Sequence, residues 1–178
     1  MKDVWHDIET GPKVPEVINV IVEIPKGSQN KYEFDKKNGL FKLDRVLFSP
    51  VHYPGDYGLV PKTLCDDGDP LDAIVLVTEK TFPGILIEAR PIGMMNMIDS
   101  GERDEKILCV PTEDPRFSHV QSIKDISQHT LSEIAHFFQR YKELQGKHVE
   151  IGNWEDADRA KKMILNSVAL YKKKKQKK

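Results

Sequence analysis

The stretch "VINVIVEIPKGSQNKYEFDKKNGLFKLDRVLF", residues 17–48, holds three runs of strand-forming residues parted by two turn signals. In "VINVIVEI" (17–24) a two-residue period puts Ile18, Val20, Val22 and Ile24 on one face and Asn19, Ile21 and Glu23 on the other, the pattern of a strand. After "PKGSQN" the period returns in "KYEFD" (31–35), with Tyr32 and Phe34 opposed to Lys31, Glu33 and Asp35. "KKNG" then turns the chain into "LFKLDRVLF" (40–48), where Phe41, Leu43 and Leu47 share a face with Arg45. A guanidinium on an apolar stripe is unusual. The bland reading is a long stem covering apolar surface while its head reaches water.

Working outward, "DAIVLVT" (72–78), "GILIEARPI" (84–92) and "KILCV" (106–110) read as further strands, separated by loops of Pro, Gly and acidic residues. Five or more short strands with no helix between them predict a small antiparallel barrel. Helical periodicity enters only late. "TLSEIAHFFQRYKELQG" opens on a Thr130 to Glu133 capping box and carries Leu131, Ile134, Phe138 and Tyr141 on one stripe, ending before Gly146. "KHVEIGNWEDADRAKKMILNSVALYKK" reads as a short strand, a cap at or near Asn153, and a second helix. The expected fold class is α+β, mainly β, in one domain over residues 1–178.

Composition narrows the function classes. The two cysteines, Cys65 and Cys109, lie 44 positions apart without a C-x-x-C partner, which argues against a disulfide framework or a zinc knuckle. No apolar run approaches the roughly 18 residues of a membrane span, and "MKDVWHDIETG" is charged where a secretory leader would be apolar. A cytoplasmic protein without a membrane partner is expected. The net charge of −1 conceals an asymmetry, because the last seven residues, "KKKKQKK" (172–178), contribute +6. The remainder carries 21 basic against 28 acidic side chains, a poor nucleic-acid surface and a plausible binder of divalent cations. The lysine tail reads as a frayed, solvated helix end.

The chemistry concentrates in "CDDGDPLDAIVLV" (65–77), with four carboxylates, Asp66, Asp67, Asp69 and Asp72, in seven positions at the mouth of a strand. Two unit charges about 5 Å apart repel by roughly 3 kcal/mol at an effective dielectric near 20, so positive charge is expected beside them. Counted as a twelve-residue calcium loop from Asp67, the segment ends on Thr78 where a bidentate Glu is needed, so the EF-hand reading fails. A second acidic loop, "DSGERDEK" (99–106), places Asp99 and Asp104 around a glycine and ends on Lys106. Each loop alone is as well read as a solvated turn. Together, next to apolar strands, they can converge on one end of a small barrel as hard-cation ligands. Lys31, Arg45, Lys106 and Lys142 are the complementary cations, and Tyr53, Tyr57 and Tyr141 either line a pocket or pack in the core. No P-loop, dinucleotide fingerprint or nucleophile elbow is present, and no histidines pair as H-x-x-x-H.

These motifs, in this order, resemble the soluble family I inorganic pyrophosphatases of the prokaryotic and plant-like type. The resemblance rests on D-G-D-P-L-D-A (67–73), "EIPKGSQNKYE" (23–33), Arg45, "HYPGDYGLVP" (52–61), the D-x4-D-x-K of Asp99, Asp104 and Lys106, "HFFQRYKELQGK" (136–147) and "NWED" (153–156). It implies a five-stranded closed OB-type β-barrel with two C-terminal helices packed outside, and Mg²⁺-dependent hydrolysis of pyrophosphate to two phosphates by a metal-bridged water or hydroxide. Several Mg²⁺ ions per site are implied, other divalent metals being possible. Asp67, Asp72, Asp99, Asp104 and Glu33 are implied metal ligands, with Glu23 a nearby carboxylate. Asp69 is the implied acceptor of the attacking water's proton. Lys31, Arg45, Lys106, Tyr141 and Lys142 are implied phosphate contacts, with Tyr53 and Tyr57 lining the pocket. A homo-oligomer, a hexamer in prokaryotic relatives, is implied as well. The chain departs from the pattern at Ser100, where many members carry a second acidic residue, and in its lysine tail. Two rival readings remain at this stage: an OB-type single-strand-binding module using the tail and exposed aromatics, and a silent metal-binding relative.

Overall fold

Two sets of strands and two helices make up the structure, a computed structural model that describes residues 3–176. The strands are β1 (Ile18–Ile24), β2 (Asn30–Asp35), β3 (Leu40–Val46), β4 (Asp56–Leu59), β5 (Asp72–Val75), β6 (Leu86–Asp99), β7 (Glu102–Arg103), β8 (Lys106–Pro111) and β9 (Val149–Asp156). The helices are α1 (Gln128–Arg140) and α2 (Ala157–Gln176). The protein is mainly β with two helices, as the periodicity predicts.

The strand pairings run β1–β4–β5–β8–β6 and return from β6 to β1, a ring of five hydrogen-bonded strands. β6 is long enough to serve four neighbours: Leu86–Ala89 pair with β1, its middle with β8, Gly93–Asp99 with β9, and Ile98 and Asp99 with β7. β2 and β3 form a separate hairpin. Four of the five ring pairings are antiparallel. β5 and β8 are parallel, contrary to the all-antiparallel expectation, because the chain crosses the ring through β6 before returning beside β5.

Alternation along the ring strands supplies two cores. Ile74 of β5 and Leu108 and Val110 of β8 face a cluster that includes Tyr53, Tyr57, Phe137 and Phe138. Ala73, Val75, Ile107 and Cys109 point the other way, against Ala160 and Ile164 of α2. With both faces covered, all seven residues of β1 are buried, Asn19 and Glu23 among them. The apolar stripe expected on β3 is core in part: Leu47 is buried and Phe41 packs on Phe34, but Leu43 is exposed, because the β2–β3 hairpin is covered on one side only.

Several boundaries differ from the sequence pattern. β4 lies inside "HYPGDYGLV", where Pro54, Gly55 and Gly58 hide a four-residue strand. Helix α1 begins at Gln128, capped by Ser127, whose hydroxyl accepts from the His129 N–H; Thr130 is already inside the helix. Leu131, Ile134, Phe137 and Phe138 form its buried stripe. β9 continues through Asn153 to Asp156, whose side chain accepts from the Ala157 N–H and starts α2 there. Lys172–Gln176 extend α2, and the rest of the lysine tail lies outside the described residues. Cys65 and Cys109 are both free thiols.

Candidate active site

A cavity of about 440 Å³ opens where the two acidic loops meet the β2–β3 hairpin and the end of α1. It is lined by Glu23, Lys31, Glu33, Tyr57, Asp67, Asp69, Asp72, Asp99, Asp104, Tyr141 and Lys142, eleven of the fourteen residues singled out from sequence. Arg45, Tyr53 and Lys106 lie just behind its wall. A larger groove, of about 750 Å³, runs past His52, His119, His136 and Phe137, but it shares no lining residue with the acidic cavity.

Each element delivers its residues for a local reason. The parallel pairing of β5 and β8 sets Asp72 opposite Lys106. The Lys106 ammonium donates to Asp72 Oδ2 at 2.6 Å and to Asp104, while the Tyr57 hydroxyl donates to the same Asp72 oxygen at 2.5 Å. The first acidic loop is tied internally, with the Asp69 N–H on Asp67 Oδ1 and the Cys65 N–H on the Asp69 carbonyl. Gly68, at φ +90°, has the backbone such a turn requires. The second loop reverses tightly through Ser100 and Gly101, both at positive φ, and the Ser100 hydroxyl donates to Asp99. Asp99 also accepts from Lys142, which follows α1. Register in the hairpin sets Lys31 opposite Arg45, and both pair with Asp44.

Burial and charge tune these groups. Burial works against the Lys106 charge, but Asp72 and Asp104 outweigh it and hold its pKa above the ordinary lysine value. One ammonium shared between two carboxylates leaves each acid half served, and burial pushes Asp104 up. Asp99 is also penalised by burial, yet Lys142, with help from Ser100, holds it below the usual carboxylate range. Glu23, buried under the hairpin with only the Phe34 N–H as donor, is pushed up by burial to about 8. Tyr53, Tyr57 and Tyr141 are raised by burial and stay phenolic donors. Tyr53 packs between Tyr57 and Phe137, with ring centroids 5.5 and 4.7 Å away, so it supports the wall from the core side.

Sequence reasoning missed Lys36, Glu102 and Arg103, which also line the cavity. Lys36 pairs with Asp69 at 2.7 Å from the turn between β2 and β3, and nothing local in "DKKNG" announces that contact. Asp66, the fourth carboxylate of the first loop, is not among the lining residues. In all, eight carboxylates face four basic side chains across the cavity. As they stand, no three acidic, imidazole or thiol groups among the described residues converge closely enough to hold an ion, and Glu33, Asp69, Asp99 and Asp104 are each paired with a lysine. The donor set is nonetheless all hard oxygen, the kind that suits small divalent cations.

Carboxylates in excess with ammonium groups among them define a class of site, one able to hold hard cations and phosphate oxygens side by side. Comparison with known proteins makes the assignment specific. A sequence model of the family described as "Inorganic pyrophosphatase" matches residues 20–172. The inorganic pyrophosphatase of Geobacillus stearothermophilus is 58% identical over 155 residues, covering 87% of this chain and 94% of that protein. That of Haloferax volcanii is 52% identical over 172 residues, covering 96% and 97%. The crystal structure of the Thermus thermophilus inorganic pyrophosphatase superposes with a TM-score of 0.93 at 42% identity, covering 96% of this chain and 99% of that one. The chain belongs to the inorganic pyrophosphatase family.

Proposed function

We propose that the acidic cavity is the active site, and that it hydrolyses inorganic pyrophosphate to two phosphates with the help of Mg²⁺. Family membership makes the reaction pyrophosphate hydrolysis. The observation that carries the placement is the meeting of both acidic loops with Lys31, Lys142 and Tyr141 around one cavity. Asp67, Asp72, Asp99, Asp104 and Glu33 would hold the metal ions, with Glu23 beside them. Bound there, Mg²⁺ lowers the pKa of water and offsets charge on the phosphates.

The chain's own residues do the rest. Asp69, exposed at the cavity mouth and held by its loop, accepts the proton of the attacking water. Lys31, Arg45 and Lys142 take phosphate oxygens, and Tyr141 donates from its hydroxyl. Arg45 stands opposite Lys31 in the hairpin register, which brings the two cations together at one edge of the site. Lys106 holds Asp72 and Asp104 in place. Tyr57 fixes Asp72 from the other side, and Tyr53 backs Tyr57.

The finer architecture follows the same reading. The ring of pairings supports a closed OB-type barrel, with residues 1–178 as one domain acting in the cytoplasm. No helix among the described residues is long and apolar enough to cross a membrane. A homohexamer is proposed as well, with Leu40, Leu43, Val46 and Phe48 offering exposed apolar surface. Phosphate release from pyrophosphate, with Mg²⁺ and then with excess chelator, and with ATP in parallel, tests the reaction. Asp69→Asn should lower turnover by about 10²–10⁴-fold while metal binding persists. Unchanged turnover in that variant removes Asp69 from its role.

A further inference from the structure

Lys36 pairs with Asp69 in a setting unlike that of the other lysines at the cavity. Its ammonium lies 2.7 Å from Asp69 Oδ1 and 4.2 Å from the centre of the Trp5 ring. Three fixed bodies thus converge on one charge. Lys36 projects from a turn locked by Asp35, which accepts from the Lys37 and Asn38 N–H groups and from the Asn38 amide. Trp5 is only 6% exposed, and its indole N–H donates to the Thr63 carbonyl at 2.9 Å. The Lys62 N–H returns to the Trp5 carbonyl, and the Thr63 hydroxyl receives the Leu71 N–H, so the indole is fastened to the root of the first acidic loop.

The other cavity lysines are anchored more deeply. Lys106 is 2% exposed between two carboxylates, Lys142 is 15% exposed on Asp99, and Lys31 is 17% exposed on Glu33. Lys36 is 45% exposed and its partner Asp69 is 65% exposed, so this is the ion pair that solvent and incoming ions reach most readily. The Trp5 face already touches the ammonium, so the charge can leave the carboxylate without a return to bulk water.

We propose that Lys36 is a displaceable counter-ion for Asp69: against the Trp5 ring it holds the carboxylate when no cation is bound, then lets go of the carboxylate and keeps only the ring when a divalent cation binds beside Asp69. Lys36 is therefore a positioning residue, acting on the reaction through Asp69, and the proposal rests on the reading of Asp69 given above. Because the ammonium repels a divalent cation held by the neighbouring Asp67 and Asp72, removing it strengthens metal binding. An exposed pair of this kind predicts an effect of about threefold in affinity.

Titration calorimetry of Mg²⁺ into the full-length protein, without substrate, tests this with the parent, Lys36→Gln and Lys36→Arg. Lys36→Gln should bind about threefold more tightly, and Lys36→Arg, which keeps the charge, should return towards the parent. Trp5 supplies a second readout. In a Trp154→Phe background, Mg²⁺ should change Trp5 emission, and adding Lys36→Gln should abolish that change. Metal affinity that is unchanged or weaker in Lys36→Gln, or a Trp5 response that survives it, overturns the proposal and leaves the active site standing. Absence of Mg²⁺ binding by the parent overturns both.

Discussion

Lys106→Met isolates the charge at the centre of the site, since methionine keeps an unbranched stem and loses only the ammonium. Lys106 is 2% exposed and bonds Asp72 at 2.6 Å and Asp104 from the other side. At an effective dielectric near 20, the attraction at the Asp72 distance is about 6 kcal/mol, and Asp104 adds a similar amount. Desolvation of three charges offsets most of this, and removing one partner of such a buried set costs about 3–5 kcal/mol. Asp72 and Asp104 keep 24% and 23% of their exposure, so water relieves part of the strain. The expected loss is therefore at the lower end, about 3 kcal/mol. Urea unfolding in excess chelator, read by far-UV circular dichroism, measures it. Saturating Mg²⁺ should narrow the gap between variant and parent, because the cation returns positive charge to the orphaned carboxylates. Asp104→Asn combined with Lys106→Met should lose less than the sum of the two single losses. Equal urea midpoints for parent and Lys106→Met in chelator would refute the reasoning, since the lysine would then contribute nothing net.

Two other perturbations probe the frame around the site. Gly58 sits where β4 crosses β1, and a Cβ there would lie 2.0 Å from the Ile21 carbonyl oxygen and 2.9 Å from Val22 Cα. Both obstacles are backbone, so Gly58→Ala should cost about 3 kcal/mol or more, or leave no folded protein; a urea midpoint equal to the parent's contradicts the close approach. His6 stacks on Trp5 and bonds the Tyr171 hydroxyl at 2.8 Å. Burial, helped by Lys175 and Lys36, lowers its pKa against the pull of Asp3 and Asp7. With the folded value below the unfolded one, its contribution is complete above the unfolded pKa and is lost as pH falls through the folded one. The melting temperature should therefore drop more between pH 7.5 and 5 in the parent than in His6→Gln; an equal or larger drop in His6→Gln excludes the assignment.

The parts of the fold that sequence foretells are those whose signal is local. β1 and β2 show as two-residue alternation, α1 as a 3.6-residue stripe, and the acidic turn as a dense run of carboxylates. What stays hidden depends on partners far along the chain. β4 is four residues with a glycine inside, legible only because β1 and β5 flank it. The parallel pairing of β5 with β8 has no sequence mark, yet it alone sets Lys106 against Asp72. Arg45 looks misplaced on an apolar stripe because the pattern assumes a covered hairpin, whereas Leu43 beside it faces solvent. Lys36 is the sharpest case. Its meaning lies in Trp5, 31 positions before it, and Asp69, 33 positions after it, and neither spacing corresponds to any local period.

The lysines also explain how one chain folds around so many carboxylates. Eight acids around one cavity would repel one another in the absence of cations, and the chain answers each dense point with a lysine from another element: Lys106 from β8 for Asp72, Lys142 from the end of α1 for Asp99, Lys36 from the hairpin turn for Asp69. The depth of these lysines is graded, and depth separates their duties. A buried ammonium such as Lys106 cannot leave without stranding its partners, so its removal is felt first in stability. A half-exposed one such as Lys36 can leave, so its removal is felt first in metal affinity. Stability in chelator and affinity for Mg²⁺ should therefore move independently in the two variants, and a common loss in both would mean that depth does not divide the work.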